Sequence, residues 1–353
     1  MAHLIFLTST PPNIAAGSGT WVGISVLRKA IVALGHRVTL VAPTRQTGVQ
    51  TSLYRLLFNL RAGSRLSDTK ADALVGFDLD GAFLRGGELL HVAAIKGVLA
   101  DEAHFERGMR RIGLAAQALL EAAHVSRADR VITTSVYSSE RIASAYGVNL
   151  ADIAVVPEMI DLHAWQRSLR EATAVEGPPR VLCVAHLYRR KRIDTLLRAF
   201  ARIGKNARLR IVGSGPERAR LERLAGELAI AGRVDFLGCL PFQALTAEYR
   251  SASVFALPTA QEGFGIVFLE AMASSLPVIA GRAGAVPEVV VEGETAFLVD
   301  PEDDAGLAYL LETLLGDRAK RLAMGAAGYQ HVRRYDAPVV ARQFLSAVGI
   351  ATL

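Results

Sequence analysis

The chain has 353 residues, more than one hydrophobic core usually supports, so two domains of ordinary size are expected. Hydrophobic residues make up 51% of it, yet no window reaches the ~18 uninterrupted apolar residues of a membrane span, which excludes an integral membrane helix. The formal net charge of +6 favours anionic partners, but no Lys/Arg run or aromatic-interleaved basic stripe of the nucleic-acid type appears, and a nucleic-acid partner is not expected.

Residues 1–12 carry no basic leader and only a short apolar run, so the expected location is cytoplasmic. Cys183 and Cys239 fall in strand-like apolar runs, which predicts buried, reduced thiols. No second Cys or His stands at ligand spacing from either, and no metal site is expected.

In chain order, residues 4–8 form a strand-like run, and a Pro/Gly-rich loop then ends in Gly17-Ser18-Gly19-Thr20. An apolar-periodic helix runs from there to Leu34, and 37–43 is the next strand, a βαβ opening. Residues 52–66 set Leu53, Leu56, Leu57 and Leu60 at helical spacing among Arg55, Arg61 and Arg65. That pattern predicts an amphipathic helix that packs its leucines on the first sheet or rests on an anionic membrane surface. Further strands are predicted at 73–79, 89–95, 130–135 and 153–157. A Gly/Pro-containing linker near 173–179 precedes a second series at 180–187, 208–214, 234–238, 254–258, 276–280 and 296–300, with helical stretches between most of them. The fold class is therefore α/β, with two Rossmann-like doubly wound domains, 1–172 and 173–336, and a final helix at about 337–350 that crosses back to the first. Ligands of such sheets bind beyond the carboxyl ends of the strands, so a cleft between the halves is the expected site.

The chemistry concentrates in the segment 262–270. Glu262 lies in a loop after a buried strand, Gly263, Phe264 and Gly265 follow, and Ile266 opens an apolar helix that carries Glu270. The glycines allow close backbone approach, and the helix start offers unpaired N–H groups and a positive dipole end suited to a diphosphate. A lone carboxylate in an apolar helix start needs a partner, which a ribose or a sugar hydroxyl supplies.

The element order resembles the GT-B fold, and the pair of glutamates resembles the E-x7-E signature of retaining glycosyltransferases of family four. The resemblance covers nearly the whole chain and is strongest over 180–304. It implies that Glu262 contacts the hydroxyls of a donor sugar, Glu270 those of the ribose, and the backbone at Gly263 to Ile266 the diphosphate. It places Lys191 as the phosphate-binding lysine, with His186 where relatives carry an arginine and Arg190 among the neighbours that compensate; a solvated basic turn is the structural alternative. Gly213, in Val212-Gly213-Ser214-Gly215, matches a strand-to-helix turn beside the nucleotide, and Gly17, Gly19 and Thr20 match a glycine loop that meets the donor phosphates. Lys96 falls in the catalytic region, where many relatives have a histidine. His91, His104 and His124 are the nearest histidines, each read as structural. The implied activity is metal-independent, retaining transfer of a hexose from a nucleoside diphosphate sugar, a substrate rather than a cofactor, to an unidentified acceptor, lipid-linked or a polysaccharide precursor. A nucleotide-sugar 2-epimerase, or a sugar-nucleotide-binding protein without transferase activity, is the alternative on the same architecture. Peripheral contact with an anionic membrane goes with a lipid-linked acceptor, and the oligomeric state is not legible.

Overall fold

The computed structural model describes residues 1–10, 19–43, 52–66, 70–84 and 89–351, which form two compact units. The first comprises Met1–Met159 with Ala337–Leu353, and the second Ile160–Asp336. Its elements are β1 (His3–Leu7), α1 (Gly19–Ala33), β2 (Arg37–Val41), α2 (Ser52–Leu66), β3 (Ala73–Phe77), β4 (Leu90–Ile95), α3 (Leu99–His104), α4 (Gly108–Arg127), β5 (Arg130–Thr133), α5 (Val136–Tyr146) and β6 (Ile153–Val155). The second unit runs α6 (Leu162–Glu171), β7 (Arg180–Val184), α7 (Ile193–Arg202), β8 (Arg208–Val212), α8 (Arg218–Glu227), β9 (Val234–Gly238), α9 (Phe242–Ser251), β10 (Val254–Leu257), α10 (Ile266–Ala273), β11 (Val278–Gly281), α11 (Val286–Val289), β12 (Ala296–Val299), α12 (Asp304–Gly316) and α13 (Arg318–Val332). The chain then returns to the first unit as α14 (Ala337–Val348).

Each unit holds one six-stranded parallel sheet, ordered β2-β1-β3-β4-β5-β6 and β12-β11-β10-β7-β8-β9. Every predicted strand run carries one of these strands. Short, continuous apolar runs such as Val254-Phe255-Ala256-Leu257, buried throughout, are what a parallel sheet covered on both faces requires. The unit changeover at Ile160 precedes the expected boundary at 172. The reason is α6: Trp165 donates its indole N–H to Ser274 Oγ at 2.9 Å and Ser168 bonds Thr246 at 2.7 Å, so this helix belongs to the second core. In the first core, α14 buries Val340, Phe344 and Val348, with Phe344 edge-on to Phe6 at 6.3 Å.

The leucine pattern of α2 misleads about its packing face. Arg55, Asn59 and Ala62 point inward, while Leu57 and Leu60 are exposed, Leu60 at 54%. The cause is a buried carboxylate. Asp80 Oδ1 accepts from Asn59 Nδ2 at 2.8 Å, Asp80 Oδ2 accepts from the Ser9 hydroxyl at 2.9 Å, and Arg55 Nε donates to Ser9 Oγ at 2.9 Å. Leaving Asp80 unpaired would cost more than exposing two leucines. Cys239 also departs from expectation: Cys183 is buried, and burial pushes its thiol up to about 12, but Cys239 is exposed beside Ser214.

Candidate active site

In the second sheet the strand order reverses between β7 and β10, which pair directly. Connections leave in opposite directions at such a point, and a crevice opens at the carboxyl ends of those two strands. The loop after β7 carries Lys191, and the loop after β10 carries Glu262. The two loops are fastened together. Ala260 N–H donates to the Arg190 carbonyl at 2.7 Å, the Thr259 hydroxyl donates to the same oxygen at 3.2 Å, and Arg190 Nε donates to Gln261 Oε1 at 3.0 Å. At their tips Lys191 Nζ stands 2.5 Å from Glu262 Oε1, with each residue 8% exposed. A charge that deep needs its counter-charge, so each fixes the other's position. Lys191 ends a short 3-10 turn, closed by Arg192 in the left-handed region at φ 51°.

Beyond Glu262, Gly265 adopts φ 93° as the residue before α10, a conformation L side chains rarely take. That turn starts α10, whose Phe268 N–H returns to the Gly265 carbonyl at 3.0 Å, so the N–H groups of Ile266 and Val267 are the ones left without an intrahelical partner. The Phe264 ring is buried edge-on to Tyr335, so Phe264 can serve a ligand through its backbone alone. Gly263 and Ile266 flank it and are half-buried. One turn into α10, Glu270 is buried, and its Oε2 accepts the Tyr249 hydroxyl at 2.8 Å. Burial pushes Glu270 up to about 7, against the Tyr249 hydrogen bond, which favours the ionised form.

The other residues of this unit border the same strand ends. His186 follows β7 and stacks on Tyr188 at 5.7 Å, and the Arg190 guanidinium lies over the same Tyr188 ring at 5.1 Å. Gly213, at φ 130°, closes β8 against Ala185: a Cβ there would come within 1.9 Å of the Ala185 carbonyl oxygen. This glycine is required by close backbone approach.

Lys96, Gly19 and Thr20 lie in the first unit, and Gly17 lies outside the described residues. Gly19 and Thr20 open α1. Lys96 follows β4, and its ammonium stands 3.0 Å from Glu158 Oε1, both side chains 8% exposed. Glu158 in turn lies against Gly23 of α1, where any Cβ would strike its carboxylate. This pairing accounts for the burial of the lysine's charge. Two of the three histidines are tied to each other and to the backbone: His124 Nδ1 faces the Asp78 carbonyl at 2.5 Å and its Nε2 meets His91 Nε2 at 3.1 Å, whereas His104 is exposed. The carbonyl requires the proton on Nδ1, so His91 donates to His124. Tyr249 and Gln261 are contributors that spacing in the sequence did not reveal, because each acts on a residue far along the chain or through a neighbouring loop.

A doubly wound unit with a paired lysine and glutamate at its switch point, joined to a second Rossmann-like unit, defines a glycosyltransferase of the GT-B class. Residues 166–331 match the model of the family described as glycosyl transferases group 1. The chain is 33% identical over 258 residues to the GDP-mannose-dependent alpha-(1-6)-phosphatidylinositol monomannoside mannosyltransferase of Mycolicibacterium smegmatis, covering 69% of this chain and 67% of that protein. It is 33% identical over 243 residues to the D-inositol 3-phosphate glycosyltransferase of Nocardia farcinica, covering 64% of this chain and 54% of that one. The matched stretch thus spans between about half and two thirds of these relatives. Among solved structures, sucrose-phosphate synthase from Thermosynechococcus elongatus superposes with a TM-score of 0.82 at 22% identity over 98% of both chains, a likeness of fold. The chain belongs to the glycosyl transferases group 1 family. The relatives are transferases, and the comparisons do not favour the epimerase alternative.

Proposed function

We propose that this glycosyltransferase moves a hexosyl group, with retention at the anomeric carbon, from a nucleoside diphosphate sugar to a hydroxyl of an inositol-bearing, lipid-linked acceptor. The observation that carries the reading is the buried Lys191–Glu262 pair at the carboxyl ends of β7 and β10, beside the start of α10. As the bond from the anomeric carbon to the diphosphate breaks, negative charge builds on the departing oxygen. The Lys191 ammonium and the amides at Gly265 to Val267 are fixed donors for that charge, and a preorganised donor needs no rearrangement when the charge appears. Glu262, held by Lys191, accepts from the sugar hydroxyls, and Glu270 accepts from the ribose. The acceptor oxygen attacks from the face the diphosphate leaves, its proton passes to the leaving diphosphate, and no carboxylate forms a covalent bond to sugar. Arg190, His186 and Gly213 border the nucleotide, and Gly19 and Thr20 are the candidates for phosphate contact from the first unit. Lys96 takes no part in bond breaking in this scheme.

The names of the relatives point to GDP-mannose as the donor to try first and to inositol-bearing acceptors. Peripheral contact with an anionic membrane belongs to the same proposal. Along α4, Met109, Ile112 and Leu119 are exposed, Met109 at 81%, with Arg107 and Arg111 beside them. Arg55 of α2 bonds Gln117 of α4 at 3.0 Å, so the exposed Leu57 and Leu60 belong to a neighbouring helix. Apolar side chains with flanking arginines suit a lipid interface. No helix among the described residues is long and apolar enough to cross a membrane.

The test is a panel of GDP-mannose, UDP-glucose and ADP-glucose against D-inositol 3-phosphate and phosphatidylinositol mannosides. Sugar transfer from one donor, with the product anomer matching the donor's, supports the reading. Absence of turnover and of binding across the whole panel overturns it. For the membrane, cosedimentation with phosphatidylglycerol vesicles that Ile112→Glu with Leu119→Glu abolishes is the expected result; unchanged cosedimentation removes that face from the proposal.

A further inference from the structure

We infer that Tyr249 is a positioning residue for recognition of the donor's ribose, setting the orientation of Glu270 through the hydrogen bond from its hydroxyl to Glu270 Oε2. The inference rests on the donor site proposed above. Tyr249 is fully buried, and its ring is immobilised from two sides, stacked on Phe255 at 5.9 Å and edge-on to Trp165 at 5.3 Å. The hydroxyl of a phenol so held reaches two acceptors, Glu270 Oε2 at 2.8 Å and the Val267 carbonyl at 3.4 Å, and the shorter bond, to the carboxylate, takes the proton.

The same aromatic pair also fixes the backbone of Glu270. Trp165 donates to Ser274 Oγ at 2.9 Å, and the Ser274 hydroxyl donates to the Glu270 carbonyl at 2.8 Å. One ring thus holds the main chain and the other the side chain. A glutamate's terminal torsion is otherwise broad, and a carboxylate that swings cannot take two vicinal hydroxyls at once. With one lone pair of Oε2 occupied by Tyr249, the plane of the carboxylate is set and Oε1 is left for a ligand. Among the described residues, Tyr249 is the side chain whose hydrogen bond reaches this carboxylate. Its donation also favours the ionised form that burial opposes, and an ionised carboxylate accepts from both ribose hydroxyls.

The experiment compares the affinity of wild type and Tyr249→Phe for GDP and UDP and for their 2′,3′-dideoxy forms, by calorimetry. In wild type, loss of the ribose hydroxyls weakens binding on the order of 30-fold, as expected for hydroxyls paired with a buried charge. In Tyr249→Phe the ratio falls to about threefold, the donor KM rises, and kcat at saturating donor changes little. General loosening of the core would weaken the normal and dideoxy nucleotides alike and leave the ratio unchanged, and an unchanged ratio overturns the inference while leaving the donor site in place. Equal binding of the normal and dideoxy nucleotides by wild type overturns both. Should Tyr249→Phe not fold, 3-fluorotyrosine at position 249 keeps the ring and strengthens its hydroxyl as a donor. The ratio is then held or raised, and a fall in the ratio contradicts the inference.

Discussion

The Lys191 ammonium and the Glu262 carboxylate, from loops that follow two adjacent parallel strands, meet at 2.5 Å, and both residues are buried from bulk water. Removing the lysine leaves Glu262 buried without its counter-charge. Lys191→Ala is therefore expected to lower the unfolding free energy by about 3 kcal/mol, and Lys191→Met combined with Glu262→Gln to recover most of it. Urea denaturation of the two variants and the wild type measures the difference.

The Lys96–Glu158 pair makes a parallel prediction with the opposite functional outcome. Lys96→Met strands a carboxylate whose second oxygen has no hydrogen-bond partner among the described residues, and stability falls by about 3 kcal/mol. Adding Glu158→Gln restores most of that loss. Because the lysine is held by Glu158 rather than by the chemistry, transfer per folded molecule stays within about fivefold of wild type in the double variant. A loss of several orders of magnitude in initial rate would return Lys96 to the catalytic group.

Stability should also carry a pH signature from Glu121. Burial first, and then the Asp78 carboxylate, push Glu121 up to about 8 from its ordinary 4.5, against donation from Tyr146 and the Leu99 amide. The folded protein then holds a proton that the unfolded chain has released. That contribution is fully present below pH 4.5 and is lost as pH rises through 8. His124 acts in the other direction: burial holds it down at about 3, so its cost is confined to pH below 6.5. Asp78, raised to about 6, has largely titrated by pH 7, while Glu270, raised to about 7, is half titrated there and adds a smaller part of the slope above it. Between pH 7 and 8 the wild type is expected to lose up to about 1.4 kcal/mol, and Glu121→Gln to flatten that slope. Chemical denaturation at the two pH values checks it.

Gly213→Ala tests the strand-end architecture. Its φ of 130° and the 1.9 Å approach of a Cβ to the Ala185 carbonyl combine backbone strain with a clash against main chain that cannot rotate away. A loss of at least about 2 kcal/mol is expected, read as a lower melting temperature.

The sheets were legible in the sequence because parallel strands buried on both faces are short, continuous apolar runs, and Val254-Phe255-Ala256-Leu257 or Val278-Ile279-Ala280-Gly281 admit few other readings. Glu262 and Glu270 were legible because one loop and one helix start carry both. Their pairings were not. Lys191 is 71 positions from Glu262, and Tyr249 is 21 from Glu270, so only the pairing of strands and the packing of α9 on the core bring them together. The packing face of α2 was misread because leucine spacing says nothing of a buried Asp80, whose need for donors turned Arg55 and Asn59 inward. Lys96 was placed at a strand end correctly, but the carboxylate that meets it comes from the far end of the unit, at Glu158.

The most direct test of the central claim is the initial rate of hexose transfer from GDP-mannose, or whichever donor of the panel is turned over, by the charge-free Lys191→Met/Glu262→Gln variant. Its fold is expected to survive, so the rate reads the chemistry alone. A loss of at least about 10³-fold at saturating donor, with unfolding stability close to wild type, is the result predicted for a pair that holds the sugar and stabilises the departing diphosphate. A rate within tenfold of wild type would contradict the assignment of the active site to the switch point between β7 and β10.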